Sequence, residues 1–90
     1  MSNQGTLHIQ QQLIDYLNQH ADVYEEFDAT TDLIDEGILD SLLVTDLVLF
    51  TQSQFGIELT ARDISPENLS SIEQMAILVR DRQQKLDRAA

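Results

Sequence analysis

The stretch Leu42 to Phe55 constrains this fold more than any other part of the chain. Leu43, Leu47, Phe50 and Gln54 mark one line down a helix, and Val44, Leu47, Val48, Thr51 and Phe55 mark an adjoining one. Leu42 and Leu49 widen the apolar surface further. Asp40 or Ser41 supplies an N-cap, and Gly56 stands where a left-handed C′ residue belongs. So much apolar surface implies either a central, mostly buried helix or an exposed patch used for binding. The serine at its head sits on the surface beside a carboxylate, with no base near it in sequence. Such a serine suits attachment better than nucleophilic catalysis.

Three further segments carry a helical period. Ile9, Leu13, Tyr16 and Leu17, with Ile14 beside them, predict a first helix over about 6–19, capped near Thr6. Pro66 suits the first turn of a short helix within 61–69. Ser70 followed by Glu73 has the spacing of a capping box and predicts a last helix from about 71 to 86. In that helix Ile72, Met75, Ala76 and Val79 face inward, Leu78 flanks them, and the basic end complements the helix dipole. Residues 20–40 lack clean periodicity. Their spaced apolar pairs, Leu33-Ile34 and Ile38-Leu39, argue for a long loop pinned across a core, with Gly37 permitting a tight turn. The expected architecture is all-α: a small four-helix bundle with a long loop between helices one and two and a short third helix. Residues 1–5 and 87–90 are expected to be flexible ends around a domain at 6–86.

Ninety residues allow one domain with a modest core and no roomy cavity. The formal net charge is −11, and residues 1–79 hold fourteen acids against a single base, Arg62. Such a field repels nucleic acid and anionic membrane surfaces and steers partners with basic patches. There are no cysteines, hence no disulfide framework or thiolate chemistry. No run approaches the roughly 18 apolar residues of a membrane span, and the N-terminus has no secretory pattern. A monomeric protein of the cytoplasm is expected.

Enzymatic readings fare poorly. The histidines are His8 and His20, both in or just after helix one, and no G-x-S-x-G elbow surrounds Ser41. Asp32 to Leu43 has the outline of a calcium loop with Gly37 sixth. Ile34 and Leu43, however, stand where ligand oxygens are required. A phosphodiester on Ser41 would instead face free N–H groups and the positive end of the helix dipole. A phosphoserine would enjoy the same site. Asp40 beside such an anion is tolerable as a cap, or as a cation holder for a modifying enzyme.

Glu36-Gly37-Ile38-Leu39-Asp40-Ser41-Leu42 resembles the phosphopantetheine attachment motif of acyl and peptidyl carrier proteins. The resemblance covers roughly residues 7–80. It takes in Leu33, Phe55-Gly56-Ile57-Glu58-Leu59 and the Ser70-Ser71-Ile72 helix start. It implies a four-helix bundle that tethers cargo and catalyses nothing. A phosphopantetheinyl transferase would move 4′-phosphopantetheine from coenzyme A onto Ser41, with Asp40 as motif neighbour, and the arm's thiol would carry a thioester. By position, the resemblance implies partner contacts at Ile38, Leu39, Leu42, Leu43 and Asp46. Leu43→Glu is then expected to weaken partner binding with the fold intact.

The second helix departs from fatty-acid carriers, which hold several acids there. After the serine, Asp46 is its one acid. The run Asp35 to Ser41 looks more like stand-alone aminoacyl carriers, including the D-alanyl type. Those are loaded by a separate adenylating acyl or aminoacyl ligase and serve downstream transferases or tailoring enzymes. The alternative is an unmodified acidic adaptor of carrier-like fold that binds a partner through helix two.

Overall fold

The segments with helical period become four helices in the computed structural model, which describes residues 2–20 and 27–89, with side chains at 6–19 and 27–85. They are α1 (Ser2–His20), α2 (Ser41–Phe55), α3 (Pro66–Leu69) and α4 (Ile72–Ala89), and no strand occurs among the described residues. The expected all-α bundle with a long first loop and a short third helix is the observed one. The aperiodic reading of Ala21 to Glu26 lies outside the described residues.

The outer helix ends differ from expectation. α1 begins at Ser2, one turn before Thr6, and α4 continues to Ala89. Extending an existing helix adds a hydrogen bond per residue without a new nucleus, and neither end carries a proline. The helices thus take in Ser2–Gly5 and Asp87–Ala89, which lie outside the expected helical spans.

Local chemistry sets the inner boundaries. The Asp40 carboxylate accepts the Leu43 N–H at 2.8 Å, which settles Asp40 as the cap of α2. Gly56 ends that helix at φ 65°, a left-handed conformation in which any side chain would be strained. Ser65 caps α3, with Pro66 at its first position. The expected Ser70 to Glu73 capping box does not form. Ser71 caps α4 by accepting the Gln74 N–H at 3.2 Å, while the Ser70 hydroxyl donates to the Glu67 carbonyl. The Glu73 N–H is engaged by the Ala29 carbonyl at 2.9 Å, so a cap one residue later fits the chain's path.

α4 is the central strut, packed along α1 and also against α3 and α2. Leu13 and Leu17 from α1, Leu33 from the loop, Leu47 from α2, and Ile72 and Val79 from α4 are fully buried together. Tyr16 stacks on Phe50 with ring centroids 4.2 Å apart, which ties α1 to α2. Burial raises the Tyr16 pKa, and the charge of Asp46 adds to it.

The Asp63 carboxylate, on the connector before α3, is buried. It pairs with the Arg82 guanidinium on α4, whose Nε donates at 3.1 Å, and accepts the Thr60 N–H at 3.0 Å. The Arg82 hydrogen bonds, followed by that from Thr60, lower its pKa from an ordinary 3.8 to about 2. A depressed carboxyl stabilises the fold fully above its unfolded value, and the contribution disappears as pH falls from about 4 to 2. The shift corresponds to about 2 kcal/mol. Asp63→Asn is therefore expected to lower Tm by about 10 °C at pH 7. In urea titrations from pH 7 down to pH 2, the stability gap to the parent chain should close near the acid end. A gap that stays constant with pH would contradict this assignment.

Candidate functional site

The loop before α2 is a set of turns hung on one residue. Leu33 is fully buried, and its N–H donates to the Ser70 carbonyl at 2.6 Å. Its own carbonyl accepts from both Ile38 and Leu39, at 2.9 and 3.0 Å. Between these anchors the Asp32 carboxylate accepts the Asp35 N–H, and Gly37 turns the chain at φ 74°. Upstream, Asp28 accepts from the Thr30 and Thr31 hydroxyls and the Thr30 N–H, and the Thr30 hydroxyl leads in lowering its pKa. The loop is thereby fixed to the junction of α3 and α4 and delivers residues 38–41 to the head of α2.

Ser41 is the first residue of α2, and its side chain is exposed. A helix start leaves its first N–H groups without intrahelical partners. The Leu43 N–H goes to the Asp40 side chain and that of Val44 to the Asp40 carbonyl, so Ser41 and Leu42 provide the N–H groups nearest the serine hydroxyl. With the dipole's positive end, they suit an anion on that hydroxyl. Asp40 is exposed and already engaged as cap. The residues present thus fit a covalent phosphodiester at this position.

The residues expected to meet partners divide by burial. Leu42 is 72% exposed, and Asp46 is exposed nearby on the same helix. Ile38 is half-buried. Leu39 lies in the core at 6% exposure, so it has almost no surface to offer a partner. Leu43 is half-buried against the same core. Leu43→Glu would therefore cost stability as well as binding, and Leu42→Glu is the cleaner probe. Sequence reading set Leu49 merely among residues widening the apolar surface. At 59% exposure it continues the surface line from Leu42 through Thr45 and Asp46. α2 has few polar positions to fix its phase, so the sequence did not separate inward from outward leucines.

The gap between α2 and α4, bounded by Leu47, Val48, Leu59, Leu69, Met75 and Val79, holds about 10 Å³, barely one water. Among the described residues, no group of three or more carboxylate or imidazole side chains could hold a metal ion. His8 lies against Gln12 at 2.6 Å, remote in sequence from Ser41, and the side chain of His20 is outside the described residues. No helix among the described residues is long and apolar enough to cross a membrane.

A family model described as phosphopantetheine attachment site matches residues 11–79, more than half of the chain and inclusive of the loop, α2 and α3. Comparison with curated proteins and with solved structures returned no match.

Proposed function

Because the chain belongs to the phosphopantetheine attachment-site family, we propose that it is a carrier bearing 4′-phosphopantetheine on Ser41. The family's members are non-catalytic carriers, and the arm is covalent. When bound, it supplies a thiol that holds cargo as a thioester. Ser41 contributes the hydroxyl oxygen of the phosphodiester, the first turn of α2 faces the phosphate, and Asp40 keeps that turn capped. The observation that carries the choice of residue is the exposed Ser41 side chain at residue one of a capped helix.

We assign the cargo to the aminoacyl or short acyl class. The 10 Å³ gap between α2 and α4 leaves no room for a long chain, which favours cargo presented outside the bundle. The motif at Asp35 to Ser41 supports the same class through its likeness to stand-alone aminoacyl carriers. On this reading a phosphopantetheinyl transferase loads the arm, an adenylating ligase charges it, and downstream transferases or tailoring enzymes use the cargo. These partners dock on the exposed face of α2 through Leu42, Asp46 and Leu49, with Ile38 at its edge. Apolar contacts weigh heavily there, so docking is less salt-sensitive than the net charge suggests. The work belongs in the cytoplasm, and the carrier acts as a monomer.

The test is intact mass after incubation with coenzyme A and a broad-specificity phosphopantetheinyl transferase. One added arm is expected, with fragmentation placing it on Ser41. No addition with either of two transferases, from a folded protein, would favour the unmodified adaptor. A phosphate-sized increment in protein taken from cells would indicate a phosphorylation switch instead.

Asp40 has a separable role here. Removing an N-cap costs about 1 kcal/mol, whereas Asn caps about as well as Asp. Asp40→Ala is expected to lower Tm by roughly 4–8 °C, and Asp40→Asn to leave it nearly unchanged. If Asp40→Asn nonetheless slows loading, the transferase needs the charge. Equal Tm losses in both variants would argue against the cap as the source of stability.

A further inference from the structure

α3 is four residues long, too short to hold itself as an isolated helix. Contacts from outside hold it instead. Leu69 is buried in the core, and the Ser65 hydroxyl oxygen accepts the Asn68 N–H at 3.3 Å. The half-buried Asn68 side-chain amide donates to the Asp63 carbonyl at 2.9 Å. A backbone carbonyl only accepts, so this partner fixes which end of the amide faces it. The bond docks α3 on the preceding connector, and the Asp63 side chain is itself held by Arg82 of α4.

The far end of α3 bears on the attachment loop. Ser70 follows Leu69 directly, and its carbonyl accepts the Leu33 N–H at 2.6 Å. The Leu33 carbonyl in turn holds the Ile38 and Leu39 N–H groups, and Asp40 and Ser41 come next in the chain. The Glu73 N–H donates to the Ala29 carbonyl at 2.9 Å, which joins an earlier part of the loop to the same junction. Asn68 thus stands two residues from the carbonyl on which the attachment loop is hung.

We propose that Asn68 is a positioning residue for attachment of the arm, an inference that rests on Ser41 as the attachment point. By docking α3, the Asn68 amide sets where the Ser70 carbonyl lies. That carbonyl seats Leu33, and Leu33 sets the path of the chain into the head of α2. In the transfer itself the Ser41 oxygen bonds the phosphorus that carries the pantetheine. The pyrophosphate bond of coenzyme A breaks, the nucleotide half leaves, and the hydroxyl proton passes to a base of the transferase. The transferase therefore selects chains whose Ser41 is already in place. A loop that samples several arrangements lowers that fraction, and the apparent affinity for the chain falls in proportion. The effect belongs in KM for the chain, while kcat, set in the ordered complex, stays near its parent value.

The experiment compares the full parent chain with Asn68→Ala, Asn68→Asp and Ile9→Val. Asn68→Asp keeps the side-chain shape and loses the donor. Ile9 is buried on α1 and borders Phe55 at the C-terminal end of α2. Ile9→Val therefore lowers stability by a similar amount without touching α3. Hydrogen exchange is measured first, on the chain without its arm. In both Asn68 variants the Leu33 amide should exchange about two- to tenfold faster relative to the Val79 amide in the middle of α4. In Ile9→Val that ratio should stay at its parent value. Arm transfer from coenzyme A by a broad-specificity transferase is then followed by intact mass, at a temperature where all four chains are folded. KM for the chain should rise by a similar factor in both Asn68 variants and stay near the parent value in Ile9→Val. Should Asn68→Asp fail to fold, Asn68→Ala carries both measurements. A parent-like Leu33 exchange ratio, a parent-like KM, or equal changes in Ile9→Val overturn the proposal while the parent chain still loads. A parent chain that takes no arm overturns the assignment of Ser41, and this proposal with it.

Discussion

Ser41→Ala is expected to abolish arm transfer completely while leaving the fold and Tm nearly unchanged. The side chain is exposed and belongs to no core contact, so removing its oxygen leaves no cavity. Asp40, not Ser41, caps α2, so the helix keeps its start. The other serines with described side chains sit differently. Ser65 caps α3, Ser71 is buried and caps α4, and the Ser70 hydroxyl is bonded to the Glu67 carbonyl. Ser53 is exposed but lies near the C-terminal end of α2, where the dipole disfavours an added phosphate. Ser53→Ala should therefore load like the parent chain. Intact mass of the two variants side by side decides the matter. Residual loading of Ser41→Ala, or its loss in Ser53→Ala, would move the attachment point.

That contrast rests on features of very different legibility. The head of α2 is local chemistry: a carboxylate three residues before the N–H that it accepts, and a glycine at the far end. Short-range signals of this kind can be read directly, and so can Ser65-Pro66 at the start of α3. The phase of α2 is another matter. Leu42 and Leu43 are equally apolar in sequence, yet one is 72% exposed and the other packs on the core. Only the neighbouring helices separate them. The pairing of Asp63 with Arg82 spans nineteen residues and depends on how the connector folds over α4. In sequence Asp63 was one acid among many, and Arg82 belonged to a basic helix end. The shift of the α4 cap from Ser70 to Ser71 has a similar origin, since the Glu73 N–H is claimed by a carbonyl from the first loop. Leu33 was visible as an apolar residue in a long loop, but its backbone role required the Ser70 carbonyl to be in place.

That role makes Leu33→Ala the substitution expected to cost the most stability. Leu33 is fully buried within the core. Truncating such a leucine costs about 3–5 kcal/mol, from lost transfer free energy and the cavity left behind. A chain of this size has a total stability on the order of 5–13 kcal/mol, so from about a quarter to nearly all of it would be lost. Tm should fall by roughly 15–25 °C. The neighbour Ile34 is 41% exposed, and Ile34→Ala is expected to change Tm only slightly. The functional effect follows from the same geometry. Leu33 holds Ile38 and Leu39 by its carbonyl and is itself tied to Ser70, so it sets the path of the chain into Asp40 and Ser41. Loosening that anchor should slow transfer of the arm even at temperatures where Leu33→Ala remains folded, because the attachment loop then samples more than one arrangement. Hydrogen exchange offers a direct check. The Ile38 and Leu39 amides, both bonded to the Leu33 carbonyl, should lose protection more than amides in the middle of α4. A uniform loss across the bundle would mean that Leu33 acts through global stability alone. A Tm close to that of Ile34→Ala would mean that the loop is not hung on this residue.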